Sequence, residues 1–184
     1  MFRFNNILDF GCGCGRFMAP LSMMVDPKKL NGTDIDPEAI KWMQENYPQV
    51  NDLDVNDVMP QTKYKDGSFD FIFSVSIFTH LPEEMHMEWV KELSRIMQSG
   101  GYGLFTTHGE FYHTEISQSE VAKLKSHGFY YSKGATTDGL PDFYQRAFHT
   151  HEYIRREWGN YFEVVDIVKQ GIGGGQDLVL VRKR

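Results

Sequence analysis

A short apolar run carrying one acid, Ile7-Leu8-Asp9-Phe10, breaks into three glycines at alternate positions, Gly11, Gly13 and Gly15. A helix-like pattern of Phe17, Leu21 and Met24 follows. This stretch restricts the fold more than any other. A buried strand that turns through glycines into a helix brings main-chain N–H groups close to a ligand, because a Cβ there would hold the ligand away.

The spacing of the glycines selects among ligands. The nicotinamide and flavin fingerprint is G-x-G-x-x-G. Here the third glycine comes one residue early, and Arg16 stands where that fingerprint has its last glycine. Asp9, two residues before Gly11, would repel a pyrophosphate but suits a cationic ligand such as an ammonium or a sulfonium. With these residues the segment resembles motif I of the class I S-adenosylmethionine-dependent methyltransferases, D/E-x-G-x-G-x-G. Two further stretches carry the resemblance. Gly32-Thr33-Asp34-Ile35-Asp36 is similar to the family's ribose-binding step, with Asp34 nineteen positions beyond Gly15. An acid there can take both ribose hydroxyls. Asp66-Gly67-Ser68-Phe69-Asp70 followed by an apolar run resembles the family's fourth-strand motif, and Ile77-Phe78-Thr79-His80-Leu81 its step beside the sulfonium.

The chain has 184 residues, 41% of them hydrophobic, which is enough for one domain with a real core. The net charge is −6, and the only basic run is Arg182-Lys183-Arg184, so nucleic acid is not an expected partner. No apolar run approaches membrane-spanning length and no signal peptide precedes Phe2, so a membrane is not expected either and the expected location is the cytoplasm. The two cysteines, Cys12 and Cys14, lie inside the glycine loop. They cannot staple distant segments, and with no further cysteine they do not make a metal site.

Read in order, the pattern alternates strands and helices. A helix is expected over Gly15 to Val25, a strand over Leu30 to Ile35, and a helix opening at Asp36-Pro37-Glu38 with Ile40, Met43 and Tyr47 on its apolar face. A weak strand spans Val50 to Val55. A strand buried on both faces follows Asp66 and ends near Ser76. The helix from Pro82 has a seam of Met85, Trp89, Leu93 and Ile96, and Gly100-Gly101 is expected to stop it. Tyr102 to Thr107 is the fifth strand. A helix over Ser117 to His127 with Gly128 as its stop comes next. Residues 129–148 read as aromatic and irregular, and 110–150 as a substrate-side insertion. Thr150 to Trp158 reads as a short helix, and Phe162 to Val168 and Asp177 to Val181 as strands joined by the turn Gly171 to Gly175. The fold class is α/β: a Rossmann-like, doubly wound sheet of about seven mostly parallel strands with an antiparallel last strand. Asp9–Gly15, Asp34, Asp57, Ser74–His80 and His108 all fall at carboxyl ends of strands, where such sheets bind ligands.

The resemblance implies S-adenosyl-L-methionine as cofactor, held by Asp9, Gly11, Cys12, Gly13, Gly15, Asp34, Ile35, Asn56, Asp57, Ser74, Val75 and Ser76. An alcohol nucleophile needs a base, which places His80 and His108 first as catalytic residues. His113, His149 and His151 follow, with Tyr112 and Tyr144 as walls of the acceptor pocket. The expected activity is methyl transfer to a small molecule or glycan-type acceptor, O-methylation ahead of N-methylation. The competing readings are a non-catalytic scaffold that binds S-adenosylmethionine or S-adenosylhomocysteine, and a nicotinamide oxidoreductase, against which the glycine spacing and Asp9 count. The family places a helical segment before the first strand, and Met1 to Asn6 is too short to form one. The cleft is therefore expected to be exposed, or covered by residues 129–148 or by a second copy in a homo-oligomer.

Overall fold

The computed structural model describes residues 4–134 and 141–184. Nine strands and five α-helices occur among them: β1 (Ile7–Phe10), α1 (Met18–Ser22), β2 (Leu30–Asp34), α2 (Pro37–Asn46), β3 (Asp52–Val55), β4 (Phe69–Ser74), α3 (Glu83–Ile96), β5 (Met97–Thr107), α4 (Gln118–His127), β6 (Phe129–Ser132), β7 (Arg146–His149), α5 (His151–Glu157), β8 (Phe162–Ile172) and β9 (Gln176–Lys183). Seven strands form one sheet in the order β3-β2-β1-β4-β5-β9-β8. β1 to β5 run parallel, and β9 enters antiparallel between β5 and β8. The strand order reverses beside β1, between β2 and β4, which is where an open α/β sheet leaves a crevice.

The sheet is covered on both faces. One apolar cluster joins Leu8, Ile72, Trp89, Leu93, Ile154 and Trp158 among others, and a second joins Ile7, Met18, Leu30, Ile40 and Met43. Each large apolar side chain sealed in this way stabilises the fold by about 1.5–3 kcal/mol. The helix ends follow local chemistry. Asp36 caps α2 by accepting from the N–H groups of Glu38 and Ala39, with Pro37 at the first helical position. Ser117 and Glu120 form a capping box at the start of α4, and Gly128 ends it at φ +85°. Among the described residues no helix is long and apolar enough to cross a membrane.

Three expectations need correction. The helix expected over Gly15 to Val25 is confined to Met18–Ser22, because the glycine loop holds the chain in turns as far as Phe17 and no side chain caps the helix. Gly100-Gly101 does not stop α3. That helix ends at Ile96 and β5 begins at once, with Gly100 at φ +79°. Both glycines lie where the β4–β5 register shifts, so they make an irregularity in the strand rather than a helix stop. Finally, residues 129–148 are not irregular throughout. β6 and β7 pair antiparallel, Phe129 opposite His149 and Ser132 opposite Arg146. Residues 135–140 of that segment lie outside the described residues.

Candidate functional site

At the carboxyl ends of β1, β2 and β4 lies a cavity of about 310 Å³. Of the residues expected to bind the cofactor, Gly11, Gly13, Asp34, Ile35, Asn56 and Val75 line it, together with Tyr144. The three glycines serve different ends, although all have positive φ. A Cβ on Gly11 would meet Ile77 at 2.3 Å and one on Gly15 would meet Met43 at 2.3 Å, whereas one on Gly13 meets nothing within 4 Å. Gly11 and Gly15 therefore let the loop close on its neighbours, and Gly13 presents bare backbone to open space.

Asp34 is the centre of this arrangement. One carboxylate oxygen accepts from the Gly13 N–H at 2.7 Å and the other from the Asp36 N–H at 3.0 Å. An ionised carboxylate offers about four lone-pair positions, so two remain for a ligand. Gly11 and Cys12 both donate their N–H groups to Thr33 O, which fixes the loop against β2. Asp9 is buried, and its Oδ2 has no partner. Burial, then the nearby Asp34 charge, pushes its carboxyl well above the usual range. Among the described residues this leaves a buried acid that holds its proton without a partner, just behind the cavity residues Phe10 and Gly11.

Other predicted residues lie off the cavity. Cys12 is buried in the core with its Sγ toward Gly32, and burial pushes its thiol up. Alternation in the loop turns exposed Cys14 to the cavity instead. Gly15 faces Met43. Asp57 is exposed away from the cavity, and Asn56, which does line it, has both amide ends engaged by Thr33 and Asp57 O. Ser74 is sealed, with an unpartnered Oγ. Ser76 sits at φ +63° with its polar atoms taken: its N–H donates to Thr106, its carbonyl accepts from Tyr144, and its hydroxyl accepts from Gln176.

The histidines fall into two groups. His80 stacks on Tyr144 with ring centroids 4.1 Å apart, and its ring lies 6.0 Å from that of His108, which in turn packs against Tyr112 at 4.2 Å. Burial and then the Arg146 charge lower the proton affinity of His80. Burial, His80 and Arg146 bring His108 down to about 3, which makes it a weak proton acceptor at neutral pH. His149 is sealed within β7, and His151 at the start of α5 pairs with Asp177 at 2.6 Å. Neither lines the cavity, and the side chain of His113 lies outside the described residues. Residues the sequence did not single out for the site include Asp36, Trp89 and Phe143. Asp36 reads as a cap and Trp89 as a helix seam, and each is both. Phe143 carries no signal beyond the aromatic character of its segment.

The family model described as "Methyltransferase domain" matches residues 8–105. The chain is 25% identical over 182 residues to malonyl-acyl-carrier-protein O-methyltransferase 1 of Ilyobacter polytropus, covering 94% of this chain and 65% of that protein. It is 27% identical over 114 residues to an rRNA N(6)-adenosine-methyltransferase of Caenorhabditis elegans, covering 58% and 53%. The chain thus spans less than two thirds of the length of these curated relatives. Among solved structures, a SAM-dependent methyltransferase of Methanosarcina mazei superposes with a TM-score of 0.71 at 18% identity, over 100% of this chain and 94% of the other. The geranyl diphosphate C-methyltransferase of Streptomyces coelicolor, solved with S-adenosyl-L-homocysteine, gives 0.66 at 12% identity, over 98% and 71%.

Proposed function

This chain belongs to the methyltransferase-domain family of class I, S-adenosylmethionine-dependent enzymes, and from that premise we propose that it transfers a methyl group to the oxygen of a small-molecule or glycan-type acceptor. The observation that carries the reading is Asp34, a carboxylate locked by two main-chain N–H groups with two acceptor positions free beside an open glycine. The residues present fit the cofactor. Asp34 would hold the ribose hydroxyls, Ile35 and Val58 the faces of the adenine, and the bare backbone at Gly13 would admit the chain between them. Asp9 lies behind the glycine loop rather than on the cavity wall. When bound, S-adenosylmethionine supplies an electrophilic methyl group. The protein's part is then alignment and exclusion of water. Tyr144 and Phe143 form the wall that limits access from the side of residues 110–150.

A small-molecule acceptor is supported by the net charge of −6, which disfavours a polyanion. Weak proton acceptors at His80 and His108 support the runner-up, a scaffold that binds the cofactor without turning it over. Calorimetry separates these readings. S-adenosylhomocysteine should bind wild type and lose affinity in Asp34→Ala, NAD should not bind, and production of S-adenosylhomocysteine from S-adenosylmethionine with a panel of alcohols distinguishes enzyme from scaffold. Wild-type affinity in Asp34→Ala would remove the ribose assignment.

A further inference from the structure

His80 and His108 are held by the same strand. His80 Nδ1 lies 2.6 Å from the carbonyl of Gln145, and His108 Nδ1 lies 3.2 Å from the carbonyl of Ala147. Main-chain N–H groups tie β7 back to the same two segments, Ala147 to Thr79 O at 2.8 Å and His149 to His108 O at 2.9 Å. A carbonyl oxygen has no proton to give, so each Nδ1 must carry the hydrogen. In a neutral ring the other nitrogen, Nε2, is then a bare lone pair. Neither Nε2 has a hydrogen-bond partner among the described residues, and neither is among the buried side-chain atoms sealed without a partner. Each Nε2 therefore keeps some solvent contact, although His108 as a whole is only 5% exposed and neither ring is among the residues lining the cavity.

We propose that the Nε2 atoms of His80 and His108 form the acceptor subsite, and that they select a neutral molecule bearing hydroxyl groups, which donates a hydrogen bond to each ring. This rests on the methyl-transfer reading for the identity of the neighbouring cleft. Tyr144 joins the two regions, since it lines the cavity and stacks on His80. The two Nε2 lone pairs accept and do not donate, so a carboxylate or phosphate finds no hydrogen bond from either ring. Arg146, whose charge acts on both rings, opposes a cationic amine and is itself drawn to Glu115. A hydroxyl satisfies both conditions. The main chain of residues 145–147 is the positioning element, because moving the proton of either ring to Nε2 would set a lone pair against a carbonyl.

Two measurements test this. Long-range proton–nitrogen spectra of histidine-labelled protein at neutral pH should show both rings with protonated Nδ1 and bare Nε2. A protonated Nε2 in either ring would overturn the assignment. Catechol, a planar diol, should then move both Nε2 resonances and bind about tenfold tighter than 1,2-dimethoxybenzene, which has the same body and no donor. His80→Phe should erase that preference. Equal binding of the two probes, or catechol binding that leaves both Nε2 resonances in place, would sink the proposal even if the variant fails to fold. The titration is run with and without S-adenosylhomocysteine. Failure of that nucleotide to bind counts against the cofactor reading, whereas the subsite stands or falls on the tautomers and the diol preference.

Discussion

The cleft proposed for the cofactor and the subsite proposed for the acceptor are built by different means. In the first, neighbouring segments make the site from main chain: Gly13 N–H reaches Asp34 across twenty-one positions, and the Gly11 and Cys12 N–H groups reach Thr33 O from the same loop. In the second, His80 meets Gln145 across sixty-five positions and His108 meets Ala147 across thirty-nine. The family match ends at residue 105, so it takes in His80 but leaves out His108 and all of β7. A cofactor shared by many enzymes can be gripped by a fixed backbone, while an acceptor that differs between enzymes is met by side chains assembled from remote segments.

The largest expected effect lies in the proposed cofactor cleft. Gly13→Val places a side chain in the open space beside Asp34 at φ +50° and should abolish S-adenosylhomocysteine binding in calorimetry, with circular dichroism unchanged. Retained binding would mean that the loop is not the grip. Asp34→Ala removes two charge-assisted hydrogen bonds, each worth about 1.5–3 kcal/mol, and should weaken the same binding accordingly.

The buried histidines should show themselves in acid, among them His86 of α3, whose ring lies 4.9 Å from that of His149. Burial holds His86 at about 3, His108 sits at about 3, and His149 lies well below its ordinary value. These groups stay neutral in the folded protein while the unfolded chain takes up protons below about 6.5. Their contribution to stability is therefore complete above pH 6.5 and is lost as the pH falls toward 3, at about 1.4 kcal/mol per pH unit for each group. Urea unfolding at pH 7, 5 and 4 should show this decline. A flat profile would contradict the burial of these rings. The smallest effect sharpens the comparison most. Ser117→Ala breaks the capping box of α4 and should cost about 1 kcal/mol of stability while leaving S-adenosylhomocysteine affinity unchanged. A parallel loss of affinity would show that α4 and the proposed cofactor cleft are not separate.

The same division decides what can be read from sequence. The turn at Gly11–Gly15, the acid at Asp34 and the cap at Asp36 are legible because each is a local event with its own residue type. The seven-stranded sheet follows from alternating strand and helix patterns. By contrast, β6 and β7 are separated by thirteen residues with no hairpin signal, so their pairing is invisible in the sequence. Cys12 and Cys14 look alike as letters, yet successive positive-φ glycines send one into the core and the other to the cavity. The proton affinities of His80 and His108 depend on burial and on Arg146, which only the folded chain brings near.

The tethered carboxylate of Asp34 has a kinetic meaning as well. Its two main-chain partners hold it in place before any ligand arrives, so a ribose bound as proposed would meet acceptors that are already aimed and need not wait for a rotamer search. Association at the cofactor end should then be limited by diffusion and docking orientation rather than by rearrangement, and free and bound backbones should superpose closely around β1 and β2. Differences in residence time among cofactor analogues will accordingly appear in the dissociation rate.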